Sequence, residues 1–128
     1  MLEIKNVTKT YGDTVKYQAL KGIDLSVQEG EFVGVMGPSG SGKSTLLNLI
    51  GTIDKPTSGS IVLDGSEPAK LNQEQLAKFR RNQLGFVFQN FNLMPTLTVE
   101  ENIVLPLTLD GEKVSVMKKA LYEVAQTL

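Results

Sequence analysis

Apolar and polar residues alternate along the first part of the chain. The alternation runs from Leu2 to Tyr11 and resumes from Leu20 to Val27, after a polar link that contains glycine. Alternation is typical of antiparallel strands with one buried face. The next run, Phe32 to Met36, has no polar residue, as expected for a strand buried on both faces of a parallel sheet. The pattern therefore predicts two antiparallel strands followed by a parallel one.

The pattern of residues in the rest of the chain predicts short helices and strands in an α/β order. Asp64-Gly65 is a strong hairpin-turn pair, and Thr98 with Glu101 has the spacing of a capping box at a helix start. Helices are predicted over Thr45–Ile50 and Asn72–Asn82, from Thr98, and from Ser115 to Leu128; strands are predicted over Ser60–Leu63 and Leu84–Phe88.

Composition limits the kinds of chemistry open to the chain. Apolar residues make up 41% and charged residues 21% of 128 residues, which favours a folded domain. The net charge of -1 provides no overall basic field for nucleic acid, so no nucleic-acid partner is expected. Cysteine and histidine are absent, which excludes disulfides, thiolate catalysis and histidine bases. Without a signal peptide or a long apolar run, the chain is expected to be cytoplasmic.

A glycine-rich loop lies between the apolar run at 32–36 and the first predicted helix. It reads GPSGSGKST and satisfies the pattern G-x-x-x-x-G-K-[ST], in which backbone N–H groups surround phosphate oxygens. Lys43 can reach the β- and γ-phosphates, and the Ser44 hydroxyl can ligate Mg²⁺. A loop without a ligand is the alternative. The predicted nucleotide-phosphate site comprises Gly37, Pro38, Ser39, Gly40, Ser41, Gly42, Lys43, Ser44 and Thr45.

The sequence around Gln89 reads LGFVFQNFNLMPTLTVEENIVLPL. With Tyr11 upstream and the glycine loop, it resembles the N-terminal part of the ATP-binding subunit of an ABC transporter. Together with the stretch GTIDKPTSGSI, it resembles the branch with lipoprotein-release, macrolide-export and antimicrobial-peptide-resistance transporters. The resemblance implies a truncated P-loop NTPase fold of ABC type. It divides the chain into an antiparallel β-subdomain with core strands (1–36 and 60–64), the P-loop and helix (37–52), a strand and Q-loop (84–95), and the start of a helical subdomain (98–128).

The same resemblance implies roles for individual residues. Tyr11 would stack on adenine, although a strand tyrosine can equally serve packing alone. Gln89 would lie near Mg²⁺ and the attacking water, although an amide at a strand end can simply be solvated. Lys43 and Gln89 are thus the catalytic candidates, and Ser44 and Gln89 the metal ligands. Residues near 90–106 would contact the permease subunits, with three apolar side chains as candidates for docking or for the core: Phe91, Leu93 and Met94.

The resemblance also implies a function and its limits. The intact protein would bind ATP and Mg²⁺, pair with a second copy and lie on the inner face of the membrane through its permease. It would couple ATP hydrolysis to export or removal of an antimicrobial peptide, lipoprotein or drug. The signature motif, the catalytic carboxylates, the D-loop and the switch histidine are absent from these 128 residues. We therefore expect an N-terminal fragment that binds ATP without efficient hydrolysis. The alternatives are a non-hydrolysing interaction module and an ABC ATPase without a transport role.

Three other motifs have simpler interpretations. The run Ile61 to Asp64 resembles a Mg²⁺-binding strand end, but Gly65 follows it, so a hairpin turn is favoured. Glu100-Glu101 is explained by helix capping. Arg80-Arg81 suits the negative end of a helix.

Overall fold

The computed structural model describes residues 1–127, which form two compact units divided after Leu84. Leu128, the last residue of the predicted final helix, lies outside the described residues. The first unit contains β1 (Leu2–Tyr11), β2 (Tyr17–Val27), α1 (Lys43–Ile50), β3 (Ser58–Leu63), a 3₁₀ turn (Pro68–Lys70) and α2 (Gln73–Gln83). The second unit contains α3 (Val99–Leu109) and α4 (Val114–Thr127).

The first unit is built on an antiparallel sheet with the strand order β2-β1-β3. Both strands predicted from the alternating pattern are present, and β2 begins three residues earlier than predicted, at Tyr17. After β3, Asp64 and Gly65 form a two-residue turn with φ values of 44° and 76°. Both values are positive, as a type I′ hairpin turn requires. The prediction that Asp64 belongs to a turn is therefore confirmed.

Helix α1 packs on one face of this sheet. Six buried side chains, contributed by all three strands and the helix, share a single cluster: Ile4, Val7, Leu20, Ile61, Leu46 and Leu49. Burying an aliphatic side chain of this size contributes about 1.5–3 kcal/mol. Because the two leucines belong to α1, this cluster fixes the helix, and the loop that precedes it, against the sheet.

Two predicted strands are wrong. Within residues 1–127 the structure has one sheet of three strands, and neither Phe32–Met36 nor Leu84–Phe88 joins it. Their side chains are largely exposed, with Phe32 at 101% and Val87 at 97%. A strand forms only where a neighbouring strand satisfies its N–H and C=O groups. Both runs have the composition of a buried strand but lack that neighbour among the described residues.

The helix predictions succeed where capping residues mark the start. Asn72 and Gln75 form a capping box that begins α2, one residue after the predicted start. Thr98 and Glu101 form the predicted box at α3, where the Thr98 N–H donates to the Glu101 carboxylate at 2.7 Å. This hydrogen bond holds the pKa of Glu101 below its ordinary value, and a hydrogen bond from the Thr98 hydroxyl adds a smaller effect in the same direction. Glu101 therefore has a structural role that needs no catalysis.

Candidate functional site

The glycine loop ends directly on the first residue of α1. Gly42, which precedes α1, has a φ of 92°, and its carbonyl accepts the first helical hydrogen bond, from Leu46 N–H at 2.9 Å. A Cβ at this position would lie 2.8 Å from both the Ala19 carbonyl oxygen and Leu20 Cδ2. Gly42 thus meets two constraints, a left-handed backbone and close contact with β2. These constraints bring the start of α1 against β2.

The first turn of α1 is suited to an anion. Over the described residues, no side chain caps this helix and its first turn holds no acidic residue. The N–H groups at a helix start have no intrahelical acceptor, and the helix dipole places positive charge there. The start of α1 therefore offers hydrogen-bond donors without a competing carboxylate, as phosphate recognition requires.

Lys43 bends back over the loop that precedes it. Its Nζ donates to the carbonyl oxygens of Gly37 at 2.9 Å and Pro38 at 2.8 Å. Ser41 N–H also donates to the Pro38 carbonyl, at 3.3 Å, which closes the loop into a turn. The ammonium group is thus held by neutral acceptors, and a phosphate could offer it charged ones, which form stronger hydrogen bonds.

A cleft of about 230 Å³ opens beside the loop. It is lined by Tyr17 and Ala19 of β2 and by residues 40–45. The Tyr17 hydroxyl donates to the Gly40 carbonyl at 3.3 Å. Tyr17 was not among the predicted site residues, because its place at the cleft depends on the register of the β1–β2 pairing, which the sequence pattern does not show.

Tyr11 lies at the end of β1, directly opposite Tyr17. Its side chain is not part of the described lining of the cleft. Its hydroxyl donates to Asp54 Oδ2 at 3.1 Å, and Lys9 Nζ lies 4.8 Å from its ring centroid. Tyr11 as a whole residue is 39% exposed, so part of it is open to solvent.

Asp54 joins this tyrosine to a lysine. Lys9 Nζ donates to Asp54 Oδ1 and to the Lys55 carbonyl, both at 2.7 Å. Burial alone raises the pKa of Asp54, but hydrogen bonds from Lys9, the Lys55 N–H and Tyr11, with the charge of Lys9, hold it below its ordinary value. Asp54 is therefore charged at neutral pH and binds two side chains of β1.

Gln89 belongs to the second unit, in the segment that leads to α3. The three apolar residues that follow it are exposed: Phe91 at 87%, Leu93 at 65% and Met94 at 49%. Asn102 ties this segment to α3, because its side chain accepts from Met94 N–H at 2.8 Å and donates to the Thr98 carbonyl at 2.9 Å. Within the second unit, the side chains of these three apolar residues therefore lie on the surface.

In the described part of the chain, none of the helices is long and apolar enough to cross a membrane.

The chain belongs to the ABC transporter family, whose model matches residues 20–128. It is 59% identical over its full length to the "ABC transporter ATP-binding protein YxdL" of Bacillus subtilis (strain 168), and spans 50% of that protein. It is 54% identical over 85% of its length to the "Bacitracin export ATP-binding protein BceA" of Halalkalibacterium halodurans, and spans 44% of it. The chain therefore spans about half the length of these curated relatives.

A solved structure has the same fold. It is the ATP-binding cassette MJ0796, described as the dimeric structure of a post-hydrolysis state bound to ADP and Pi, with a TM-score of 0.88 and 47% identity. The match covers 96% of this chain and 55% of that one. The predicted family and the predicted position in the N-terminal part of an ABC cassette are both confirmed.

Proposed function

We propose that this chain binds ATP with Mg²⁺ at the glycine loop, as the N-terminal part of the nucleotide-binding subunit of an ABC transporter. One observation carries the proposal: the uncapped first turn of α1 and the Lys43 ammonium both lie at the same loop. Together they supply the N–H donors and the positive charge that a triphosphate requires. Family membership supports the choice of nucleotide.

The site residues then have distinct roles. Residues 37–45 surround the phosphates, and Lys43 neutralises charge on the β- and γ-phosphates. The Ser44 hydroxyl, beside Lys43 in the first turn of α1, fits the oxygen chemistry of a Mg²⁺ ligand. When bound, Mg²⁺ would neutralise phosphate charge. Tyr11 stacks on the adenine, and Gln89 contributes to the metal and water site.

Hydrolysis needs more than these groups. Phosphoryl transfer depends on a positioned water and on stabilisation of charge at the γ-phosphate. The chain has no histidine and none of the carboxylate motifs that the family uses for this purpose. We therefore propose that the intact protein is an ATPase coupled to transport, and that this chain alone binds ATP without efficient hydrolysis.

The partners follow from the same family. A second copy of the subunit is supported by the dimeric state of the MJ0796 cassette. Permease subunits would contact residues near 90–106, where Phe91, Leu93 and Met94 are exposed, and would hold the protein at the inner face of the membrane. Export of an antimicrobial peptide, a drug or a lipoprotein is the proposed activity, and the relative named for bacitracin export supports the first of these.

The test is equilibrium binding of a fluorescent ATP analogue to the 128-residue chain. Lys43→Ala is expected to lower the affinity by about tenfold or more, since a charge-assisted contact of about 1.5–3 kcal/mol is lost. Lys118→Ala, which removes the same charge from an exposed site on α4, is the matched control and should bind as the wild type does. Equal binding by the Lys43→Ala protein and the wild type would refute the site.

A second function is favoured by one observation, the exposed apolar side chains at 91–94. A non-hydrolysing module could use this surface to bind permease subunits while the glycine loop stays empty. Permease binding that is unchanged by ATP and by Lys43→Ala would support the module. Binding that requires ATP would support the nucleotide-driven function.

A further inference from the structure

Three side chains contact one another at Tyr11, the residue proposed to stack on adenine. Two of them belong to β1, and the third, Asp54, lies more than forty positions further along the chain. Asp54 accepts from Tyr11 through one carboxylate oxygen, at 3.1 Å, and from Lys9 through the other, at 2.7 Å. Lys9 also lies over the ring of Tyr11, with Nζ 4.8 Å from the centroid. The Lys9 side chain is only 12% exposed, so this cation is held in place among its partners.

We propose that Lys9 and Asp54 are positioning residues for the adenine, because they hold the Tyr11 ring in one orientation with a single face available for stacking. This inference rests on the proposed function, since it assumes that the ligand carries a base. Lys9 covers one face of the ring, which leaves the opposite face for a planar base. Asp54 fixes the hydroxyl end, so rotation of the ring about its side-chain bonds is restricted.

Holding the ring in this way favours binding because less side-chain conformational entropy is lost. Tyr11 is the last residue of β1, where a partly exposed side chain would otherwise sample several rotamers. Immobilising a side chain on binding reduces the affinity, and a side chain that is already ordered avoids that loss. Stacking of a base on an aromatic ring accounts for about fivefold or more in affinity, so its orientation matters to binding.

A purely structural role is the competing explanation. Lys9 also donates to the Lys55 carbonyl, so the cluster helps to hold residues 54–55 against β1. The two explanations differ in what they predict for a ligand without a base. Inorganic tripolyphosphate can contact the glycine loop but not the Tyr11 ring. Loss of positioning would affect ATP alone, whereas a disturbed fold would affect both ligands.

The experiment compares the affinity of the 128-residue chain for Mg-ATP and for Mg-tripolyphosphate by isothermal titration calorimetry. The informative variant is Tyr11→Phe, which keeps the ring and removes only its hydrogen bond to Asp54. Asp54→Asn and Lys9→Met remove the other contacts, and Lys9→Arg keeps a cation. The matched control is Lys5→Met, which replaces an exposed lysine of the same strand that pairs with Glu3.

We expect Tyr11→Phe, Asp54→Asn and Lys9→Met to weaken ATP binding by about threefold to tenfold and to leave tripolyphosphate binding within about twofold of the wild type. Lys9→Arg should retain most of the affinity, and Lys5→Met all of it. Equal weakening of both ligands, unchanged ATP binding by Tyr11→Phe, or a wild type that binds ATP no better than tripolyphosphate would overturn the inference. Failure of the wild type to bind either ligand would refute the proposed function and the inference with it.

Discussion

Replacing Gly42 by alanine tests whether the start of α1 is fixed by the contact of the loop with β2. The backbone at Gly42 has a φ of 92°. A residue with a Cβ pays about 1–2 kcal/mol in that left-handed region. The new Cβ would also lie 2.8 Å from the Ala19 carbonyl oxygen and from Leu20 Cδ2, whereas carbon atoms prefer separations of about 3.5–4.0 Å.

The collision adds to the backbone strain. Both contacts must lengthen by several tenths of an ångström, and Ala19 presents backbone that is held in β2. Overpacking of this kind costs about 1–3 kcal/mol. We therefore expect Gly42→Ala to lower the free energy of unfolding by about 2–5 kcal/mol, which is a large share of the roughly 5–15 kcal/mol of an ordinary domain.

Substitutions at two other glycines distinguish the cost of backbone strain from the cost of steric overlap. Gly40 has a φ of 76°, and no described atom lies within 4 Å of the position that a Cβ would take there, so Gly40→Ala should cost only the backbone strain, about 1–2 kcal/mol. Gly34 has neither constraint within the described residues, and Gly34→Ala should be nearly neutral. The assay is urea unfolding followed by far-ultraviolet circular dichroism. Equal destabilisation by Gly42→Ala and Gly40→Ala would refute the argument that β2 fixes the loop.

Three further predictions concern the first unit. Arg80→Met should destabilise it by about 1–3 kcal/mol in urea unfolding, because Arg80 donates to the hydroxyl and carbonyl of the buried Thr52 at 2.9 and 2.5 Å; exposed Lys78→Met is the control. Asn72→Ala should cost about 1 kcal/mol through loss of the α2 cap. Because folding lowers the pKa of Asp54, its contribution to stability is present above about pH 4 and lost as the pH falls through its folded-state value. Unfolding curves from pH 7 to 3 should therefore show the wild type losing its advantage over Asp54→Asn.

Local patterns in the sequence were sufficient to predict β1, β2 and the two capped helices. The alternation in β1 and β2 and the capping boxes at 72–75 and 98–101 each involve residues that are close in the chain. Such patterns report the strand or helix directly. The glycine loop was singled out as a candidate site for the same reason, since its nine residues contain most of the proposed chemistry.

Features that depend on distant contacts were not predictable in this way. The apolar runs at 32–36 and 84–88 have the composition of buried strands, but a strand also needs a partner, and composition does not show whether one is present. The contact of Lys9 with Asp54 joins residues 45 positions apart. Tyr17 reaches the loop only because the hairpin register places it there. Each of these follows from tertiary structure.

The most direct test of the account is a titration of the ¹⁵N-labelled chain with Mg-ATP, followed through its amide signals. If the glycine loop binds the phosphates, the largest shifts will occur at the N–H groups of residues 40–45, with the Tyr11 and Tyr17 amides responding less. Lys43→Ala should need about tenfold or more Mg-ATP to produce these shifts, while Lys118→Ala should need no more than the wild type. The absence of shifts at 40–45, or shifts in Lys43→Ala that saturate at the same Mg-ATP concentration as in the wild type, would contradict the claim that this loop is a nucleotide-phosphate site.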